Sequence, residues 1–463
     1  MAREKRVMQN AITEGVIWKQ LLFFFFPIVL GTFFQQLYNT ADAIIVGKFV
    51  GKEALAAVGG TTGTLINLLV GFFVGLSSGA SVIISQFYGA QRSEDVSRAV
   101  HTTMALALAS GAALTVLGIC LSKNVLIMMG TPADVLDYAV TYINIYFLGM
   151  IPSLIYNIGS GILRAVGDSR RPLFFLVSAT MTNIVLDVVL VIGLNLGVAG
   201  AAAATVLSQV VSAVLVMMTL CRTSQVYRLQ LKKIRFYGDM LVRIVRIGLP
   251  AGLQSVMYSL SNIIIQASMN VFGTDVLAAW TAYGKLSDLY WMIISAFGIA
   301  ITTFTGQNFG AGKYDRIRQG TYACLLLGII YCAIYIVIAR FGTQYLVLLF
   351  MNADEAQSVL DYTQRISYAY AYGTPLLLGV NVFRLSIQGM GYSRLSLISG
   401  LLEMIARTAV GIWGVPQFGF AAACLASPLA WALADCFLIP AYYGCLNARR
   451  RLAARVRKEL PTE

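Results

Sequence analysis

Charge is what this chain has least of. Only 12% of its 463 residues are Asp, Glu, Lys or Arg, and 58% are hydrophobic, whereas soluble domains carry about 25% charged residues. With a mean hydropathy of +0.74, the composition excludes a soluble domain and sets a polytopic membrane protein. Histidine is scarcer still. A single His101 removes His-based metal centres and Ser-His or Cys-His chemistry. The seven cysteines lie in or beside apolar runs without Cys-x-x-Cys spacing, so neither a disulfide framework nor a zinc site is indicated. A membrane-embedded enzyme would need nucleophile or metal clusters on facing helices. None is present, so no catalytic residue and no cofactor is expected.

Acids are the rarer sign of charge, which leaves a net +13. That excess does not read as a nucleic-acid surface. The basic residues sit in short stretches between apolar runs, as the positive-inside pattern requires. At about 20 apolar residues per crossing, helices are predicted near 18–46, 54–86, 98–121, 138–163, 172–195 and 199–221. Six more follow near 247–272, 276–307, 319–341, 358–388, 394–414 and 419–446. The second and eighth are long enough to tilt, kink or break. Of the 34 Lys and Arg residues, 26 fall in alternate loops and the termini, and 4 on the opposite side. The expectation is a multi-pass protein of the cell (inner) membrane with both termini cytoplasmic.

The two halves echo each other. Pro27 pairs with Pro250, and Gln86-Phe87-Tyr88-Gly89-Ala90 with Gln307-Asn308-Phe309-Gly310-Ala311. Gly167-Asp168-Ser169-Arg170 pairs with Gly391-Tyr392-Ser393-Arg394, so the offset stays between 221 and 224. Each half has an even number of spans, so the repeats are parallel, which favours a central cavity and alternating access. The predicted fold is therefore all-α: twelve transmembrane helices in two parallel six-helix repeats. Residues 1–221 form the N-terminal bundle, 222–246 a basic cytoplasmic linker, 247–446 the C-terminal bundle and 447–463 a basic tail. The linker reads either as an interfacial amphipathic helix, with Val226, Leu229, Leu231, Ile234 and Phe236 on its apolar face, or as a solvated connector. Gly71, Gly75 and Gly79, four apart, predict a small-residue packing face.

Polar residues inside spans are costly, roughly 2.5–3.5 kcal/mol for an acid at mid-helix. On the first helix Gln35, Asn39 and Asp42, with Tyr38 alongside, form one stripe. Thr180, Asn183 and Asp187 do so on the fifth, and Thr205, Ser208, Gln209 and Ser212 on the sixth. From the nearest outer loop, Asp42 lies about 9 Å deep, Asp187 about 15 Å and Thr205 about 12 Å. All three can reach one site in the outer half of the membrane. Such a site could exchange protons, or hold sodium with carboxylate, amide and hydroxyl oxygens. Alternatively, these residues only hydrogen-bond three helices together. The second half departs from this pattern. Its seventh helix has Gln254, Tyr258 and Asn262 but no acid, and Asp288 follows Lys285 at ion-pair spacing. Glu403 and Arg407, four apart, read as a structural pair. The coupling ion is therefore expected in the first half alone.

The chain resembles the multidrug and toxic compound extrusion (MATE) family over nearly its whole length. The marks are Asn39-Thr40-Ala41-Asp42, Gln86-Phe87-Tyr88-Gly89-Ala90, the run from Arg164 to Pro172, Asn183-Ile184-Val185-Leu186-Asp187, Gly197-Val198-Ala199-Gly200-Ala201-Ala202 and Gly306-Gln307-Asn308-Phe309-Gly310-Ala311. The resemblance implies a secondary active multidrug efflux antiporter that exports amphipathic organic cations in exchange for protons or sodium. Its partners would be small organic cations or drugs and membrane lipids, with the protein acting as a monomer. The DinF-like branch is the better match. Its ion site carries over onto Asp42, Asn183, Asp187 and Thr205. The NorM-like branch uses acids on the seventh and tenth helices, and this chain has none at 254–266 or 381–388. Gln35, Tyr38, Asn39, Asn157, Met257, Tyr258 and Asn381 are candidates for the substrate cavity, and Arg384 would oppose cations there. A lipid or lipid-linked oligosaccharide flippase of the same superfamily is the alternative.

Overall fold

The computed structural model describes residues 11–350 and 353–459. The basic residues expected at Arg3, Lys5 and Arg6 lie outside them. Among the described residues every regular element is helical. In the first repeat these are α1 (Ile17–Phe49), α2 (Lys52–Gly59), α3 (Thr61–Gly89), α4 (Ser93–Met128), α5 (Ala133–Leu148), α6 (Met150–Ala165), α7 (Arg170–Asp187) and α8 (Gly197–Arg222). In the second they are α9 (Gly238–Asn270), α10 (Thr274–Gly310), α11 (Tyr314–Phe350), α12 (Ala353–Gly389), α13 (Ser393–Ala409), α14 (Val415–Phe418) and α15 (Phe420–Glu459).

Ten of these stretches are long and apolar enough to cross a membrane, counting α2 with α3, and the bent pair α5–α6 makes an eleventh. Helix α12 has the length of a twelfth, but Asp361, Arg365 and three tyrosines at 368, 370 and 372 lower its hydropathy. The fold is thus the all-α polytopic bundle expected. The breaks differ in part. The second span does break, at Gly60, but the eighth runs straight through as α10. The sharp bend falls instead in the fourth span, 53° at Gly149. There Gln209 and Val206 press on the glycine, leaving no room for a Cβ.

The duplication is written into backbone geometry as well as sequence. Three glycine pairs about 222 residues apart hold positive φ: Gly51 and Gly273, Gly167 and Gly391, Gly197 and Gly419. Such conformations strain any residue with a Cβ. A π-helical turn follows α7 at Val188–Gly193, and its counterpart follows α13 at Val410–Gly414.

Two compact units result. One contains Phe26–Gly252; the other contains Ile12–Phe25 and the chain from Leu253 on. The start of α1 therefore belongs with the second repeat, and the start of α9 with the first. Both changes of unit fall within two residues of a helix proline, Pro27 and Pro250.

In the first unit α3 packs on the early part of α9 without intervening side chains. A Cβ on Gly75 would lie 2.6 Å from Gly252 Cα, and one on Gly79 2.4 Å from the Gly248 amide nitrogen. The small-residue face is thus real at Gly75 and Gly79. The linker is not an amphipathic helix. Between α8 and α9 it has a turn at 225–227, closed by the Arg228 amide on the Gln225 carbonyl at 3.0 Å, and a 3-10 turn at Leu231–Lys233, with Leu229 and Tyr227 buried against the first unit and Leu231 and Phe236 exposed. Hydrogen bonds to α4 decide this. The Gln230 amide donates to His101 Nε2 (3.0 Å), and the Tyr237 amide to Thr102 Oγ1 (3.3 Å).

Candidate functional site

In the first unit, Asp42 on α1, Asn183 and Asp187 on α7 and Thr205 on α8 are all buried, the last three completely. Their polar atoms are without partners in the protein: Asp42 Oδ1, both amide atoms of Asn183, both carboxylate oxygens of Asp187 and Thr205 Oγ1. Native structures rarely leave even one such group unsatisfied, because each costs about 1–3 kcal/mol. Asp42 and Asp187 are near enough to feel each other's charge, and the hydroxyls of Tyr38 and Tyr142 lie beside Thr205. The four residues predicted from sequence are therefore brought together in one unit. Their donor set, five uncommitted oxygens with two carboxylates among them, fits a hard monovalent cation or a shared proton with water. Thr180, one turn before Asn183, is already committed through Oγ1 to the Phe34 carbonyl at 3.4 Å.

Sequence reasoning missed Tyr142 and Tyr146. They stack at 6.2 Å on α5; Tyr142 is buried beside Asp42 and Thr205, and Tyr146 is half-buried beside Gln209. The signal was available, since two tyrosines four apart share a helix face, but the fourth span carries no acid to draw attention to it. The π turn directly after Asp187 was missed too. Because the second unit has the same turn after Ala409, it belongs to the duplicated fold and not to the ion site alone.

The second unit has lost this chemistry. At the repeat offset, Ile265 stands for Asp42, Ile405 for Asn183, Ala409 for Asp187 and Ser427 for Thr205. It has a different buried constellation. Glu403 takes the Arg384 guanidinium, whose Nε also donates to Ser399 Oγ at 3.0 Å. Arg407 Nη2 stands 3.8 Å from the other Glu403 oxygen. The pair expected within α13 is present, and Glu403 in addition bridges from α13 to α12, where Arg384 is its closer partner. The Asp288–Lys285 pair cannot be placed, because the Lys285 side chain lies outside the described residues.

The substrate candidates fall in two groups. Gln35 and Asn39 are exposed on α1, with Asn39 donating to Gln36 Oε1 (3.3 Å), and Tyr38 is half-buried between them. Asn157 is spent on the Ser153 carbonyl of its own helix (2.9 Å). In the second unit Met257 and Tyr258 are half-buried, and Tyr258 meets Trp291 edge to face at 5.4 Å. Asn381 donates to the Leu377 carbonyl at 3.3 Å.

A duplicated helical bundle with an unpartnered acidic cluster deep in one repeat defines a membrane transporter. The MatE family model matches twice, over residues 27–189 and 250–413, once per repeat, and the chain belongs to that family. It is not an enzyme family. The probable multidrug resistance protein YoeA of Bacillus subtilis (strain 168) is 29% identical over 73% of this chain and 74% of its own. The multidrug export protein MepA of Staphylococcus aureus is 22% identical over 84% and 85%. Among solved structures, a crystal structure of MATE in the bent conformation matches with a TM-score of 0.89 at 21% identity, over 96% of this chain and 98% of that one. A MOP superfamily transporter from Pyrococcus furiosus matches with a TM-score of 0.88 at 22% identity, over 95% and 98%.

Proposed function

We propose that this protein is a multidrug efflux antiporter of the inner membrane, with cytoplasmic termini, acting as a monomer. It exports amphipathic organic cations in exchange for protons or sodium by alternating access. The observation that carries the ion half of this reading is the set of unpartnered oxygens on Asp42, Asn183, Asp187 and Thr205. Two bare carboxylates close together in a dry site repel, and removing that repulsion by proton or sodium uptake is worth several kcal/mol. The site thus has a loaded and an unloaded state of different energy.

Coupling then follows from α1. The helix that bears Asp42 also bears Gln35, Tyr38 and Asn39, so loading the site changes the surface offered to a substrate. Pro27 leaves one backbone carbonyl of α1 without its usual donor and lies at the change of unit, which makes it the bending point. Efflux of homologues named for multidrug export supports the substrate half.

The test is ethidium efflux by wild type and Asp187→Asn in inverted vesicles, with sodium and proton gradients imposed separately. Gradient-driven transport that the folded mutant lacks supports the reading and identifies the ion. A mutant that pumps like wild type makes the first-unit cluster structural and removes the mechanism.

A further inference from the structure

The end of the second unit proposed as cytoplasmic carries a feature that the efflux mechanism does not use. A cleft of about 540 Å³ opens there between the start of α11 and the far end of α15. That volume falls within the roughly 300–1,000 Å³ of small-molecule sites. Its walls bring together Lys313 and Arg316 from the start of α11 and Arg450 from α15, with Asp315 as the acid among the described lining residues. Three cations against one carboxylate leave a surplus of two positive charges.

The first unit is built differently at the matching place. At the repeat offset of 221, Asp95 stands for Arg316 and Arg98 for Gln319. Asp95 holds Arg92 at 2.6 Å and lies 3.9 Å from Arg98, so that acid neutralises the cations beside it. In the second unit a cation has replaced the acid, and the uncompensated charge borders a cleft.

The donors around the cleft are only partly spent. Lys313 Nζ gives one of its three to the Thr13 carbonyl at 2.9 Å. Arg316 reaches the Glu14 carbonyl and Gln20 Oε1 through Nη2, and Arg450 reaches Asp315 Oδ1 through Nη2, each at 2.9 Å. A guanidinium has five donors, so both arginines retain capacity for an anion. Their forks match phosphate oxygens, and Lys313 adds a point charge. The N-terminal end of α11, a helix of 37 residues, contributes its own favourable potential for an anion. A phosphate monoester carries about −1.5 to −2 near neutral pH, which matches the surplus, and the cleft has room for an organic group behind it.

Going beyond the efflux reading, we propose that this cleft binds a phosphate monoester, soluble or as the headgroup of a lipid, through Lys313, Arg316 and Arg450. Asp315 competes for Arg450 and lowers the affinity.

Thermal unfolding of the purified full-length protein tests this. In detergent the probe is glycerol 3-phosphate, against sodium chloride at equal ionic strength. In nanodiscs it is phosphatidic acid in phosphatidylcholine, against phosphatidylcholine alone. A saturable rise in melting temperature with glycerol 3-phosphate beyond the chloride control supports the site with a soluble ligand. A rise with phosphatidic acid alone supports it with a lipid ligand. In either arm Arg450→Gln should weaken apparent affinity about tenfold or more, as for loss of a charged hydrogen bond. Asp315→Asn should tighten it by freeing Arg450, and Lys232→Gln on the linker should leave it unchanged. If Arg450→Gln does not give monodisperse protein, Asp315→Asn decides, and no gain in affinity overturns the proposal. No rise in either arm, or equal affinity in Arg450→Gln and wild type, also overturns it. Ethidium transport is scored separately, so the efflux reading stands or falls independently.

Discussion

Gly79 and Gly248 meet backbone to backbone, so close that a Cβ on Gly248 would lie 2.3 Å from the Leu76 carbonyl oxygen. Neither backbone can yield alone, since Gly75 and Gly252 repeat the contact one turn away. Gly248→Ala should therefore destabilise the first unit by about 1–3 kcal/mol, as overpacking does, and Gly248→Leu should prevent folding. Thermal unfolding in detergent checks this. A Gly248→Ala protein as stable as wild type would mean the helices separate without cost.

The ion site offers a paired test within one chain. Thr205→Val keeps the shape of the residue but removes one of the cluster's uncommitted oxygens. Efflux should drop at least tenfold while stability falls by about 1 kcal/mol at most, the worth of a weak contact with the neighbouring Tyr38 and Tyr142 hydroxyls. Ser427 occupies the equivalent place in the second unit, where it accepts a hydrogen bond from the Tyr370 hydroxyl at 2.9 Å. Ser427→Ala should cost about 1 kcal/mol of stability and leave ion dependence untouched. If both variants lose ion dependence equally, the two units share the coupling.

Hydropathy made the spans legible, because a bilayer demands long apolar runs whatever their neighbours are. The acid cluster was legible for the same reason: Asp42 and Asp187 stand out only against an apolar background. What stayed hidden depends on contacts distant in sequence. Nothing near residue 20 shows that Ile12–Phe25 packs with the second repeat. The spacing of Val226, Leu229 and Leu231 mimics a helix face, yet the segment runs as turns held by backbone bonds to His101 and Thr102. The Glu403–Arg407 spacing predicted a closed pair; only the fold shows that Arg384 takes the carboxylate as well.

His101 clasps the linker through a fixed tautomer. Nδ1 donates to the Ser97 carbonyl (2.7 Å), which leaves Nε2 to accept from the Gln230 amide. His101→Ala removes that acceptor and leaves the Gln230 amide without its partner. Linker opening should become severalfold easier, in line with about 1 kcal/mol for one hydrogen bond. Trypsin is a direct probe, since Arg228, Lys232 and Lys233 lie in the clasped segment. Faster cleavage there in His101→Ala, with other sites unchanged, is the expected outcome. Unchanged cleavage would show that the buried Leu229 and Tyr227 hold the linker by themselves.

The segment before α1 has its own clasp, built from the matching part of the second repeat. Lys313 Nζ donates to the Thr13 carbonyl and Arg316 Nη2 to the Glu14 carbonyl and Gln20 Oε1, each at 2.9 Å. Arg316 thus satisfies acceptors on both sides of the turn that starts α1, and Phe25 continues the contact by stacking on Phe297 at 4.2 Å. Arg316→Ala removes the two-sided contact, whereas Lys313→Ala removes one bond to one carbonyl. Amide hydrogen exchange over residues 12–25 should therefore accelerate about tenfold or more in Arg316→Ala, as for loss of a charged hydrogen bond of about 1.5–3 kcal/mol, and less in Lys313→Ala. The stacking at Phe25 should limit the loosening to the first turns of α1. If exchange rises along all of α1 as far as Asp42, the clasp also stabilises the helix that carries the ion site. If it does not rise at all, apolar packing of Leu21, Phe24 and Phe25 alone fixes residues 12–25 to the second repeat.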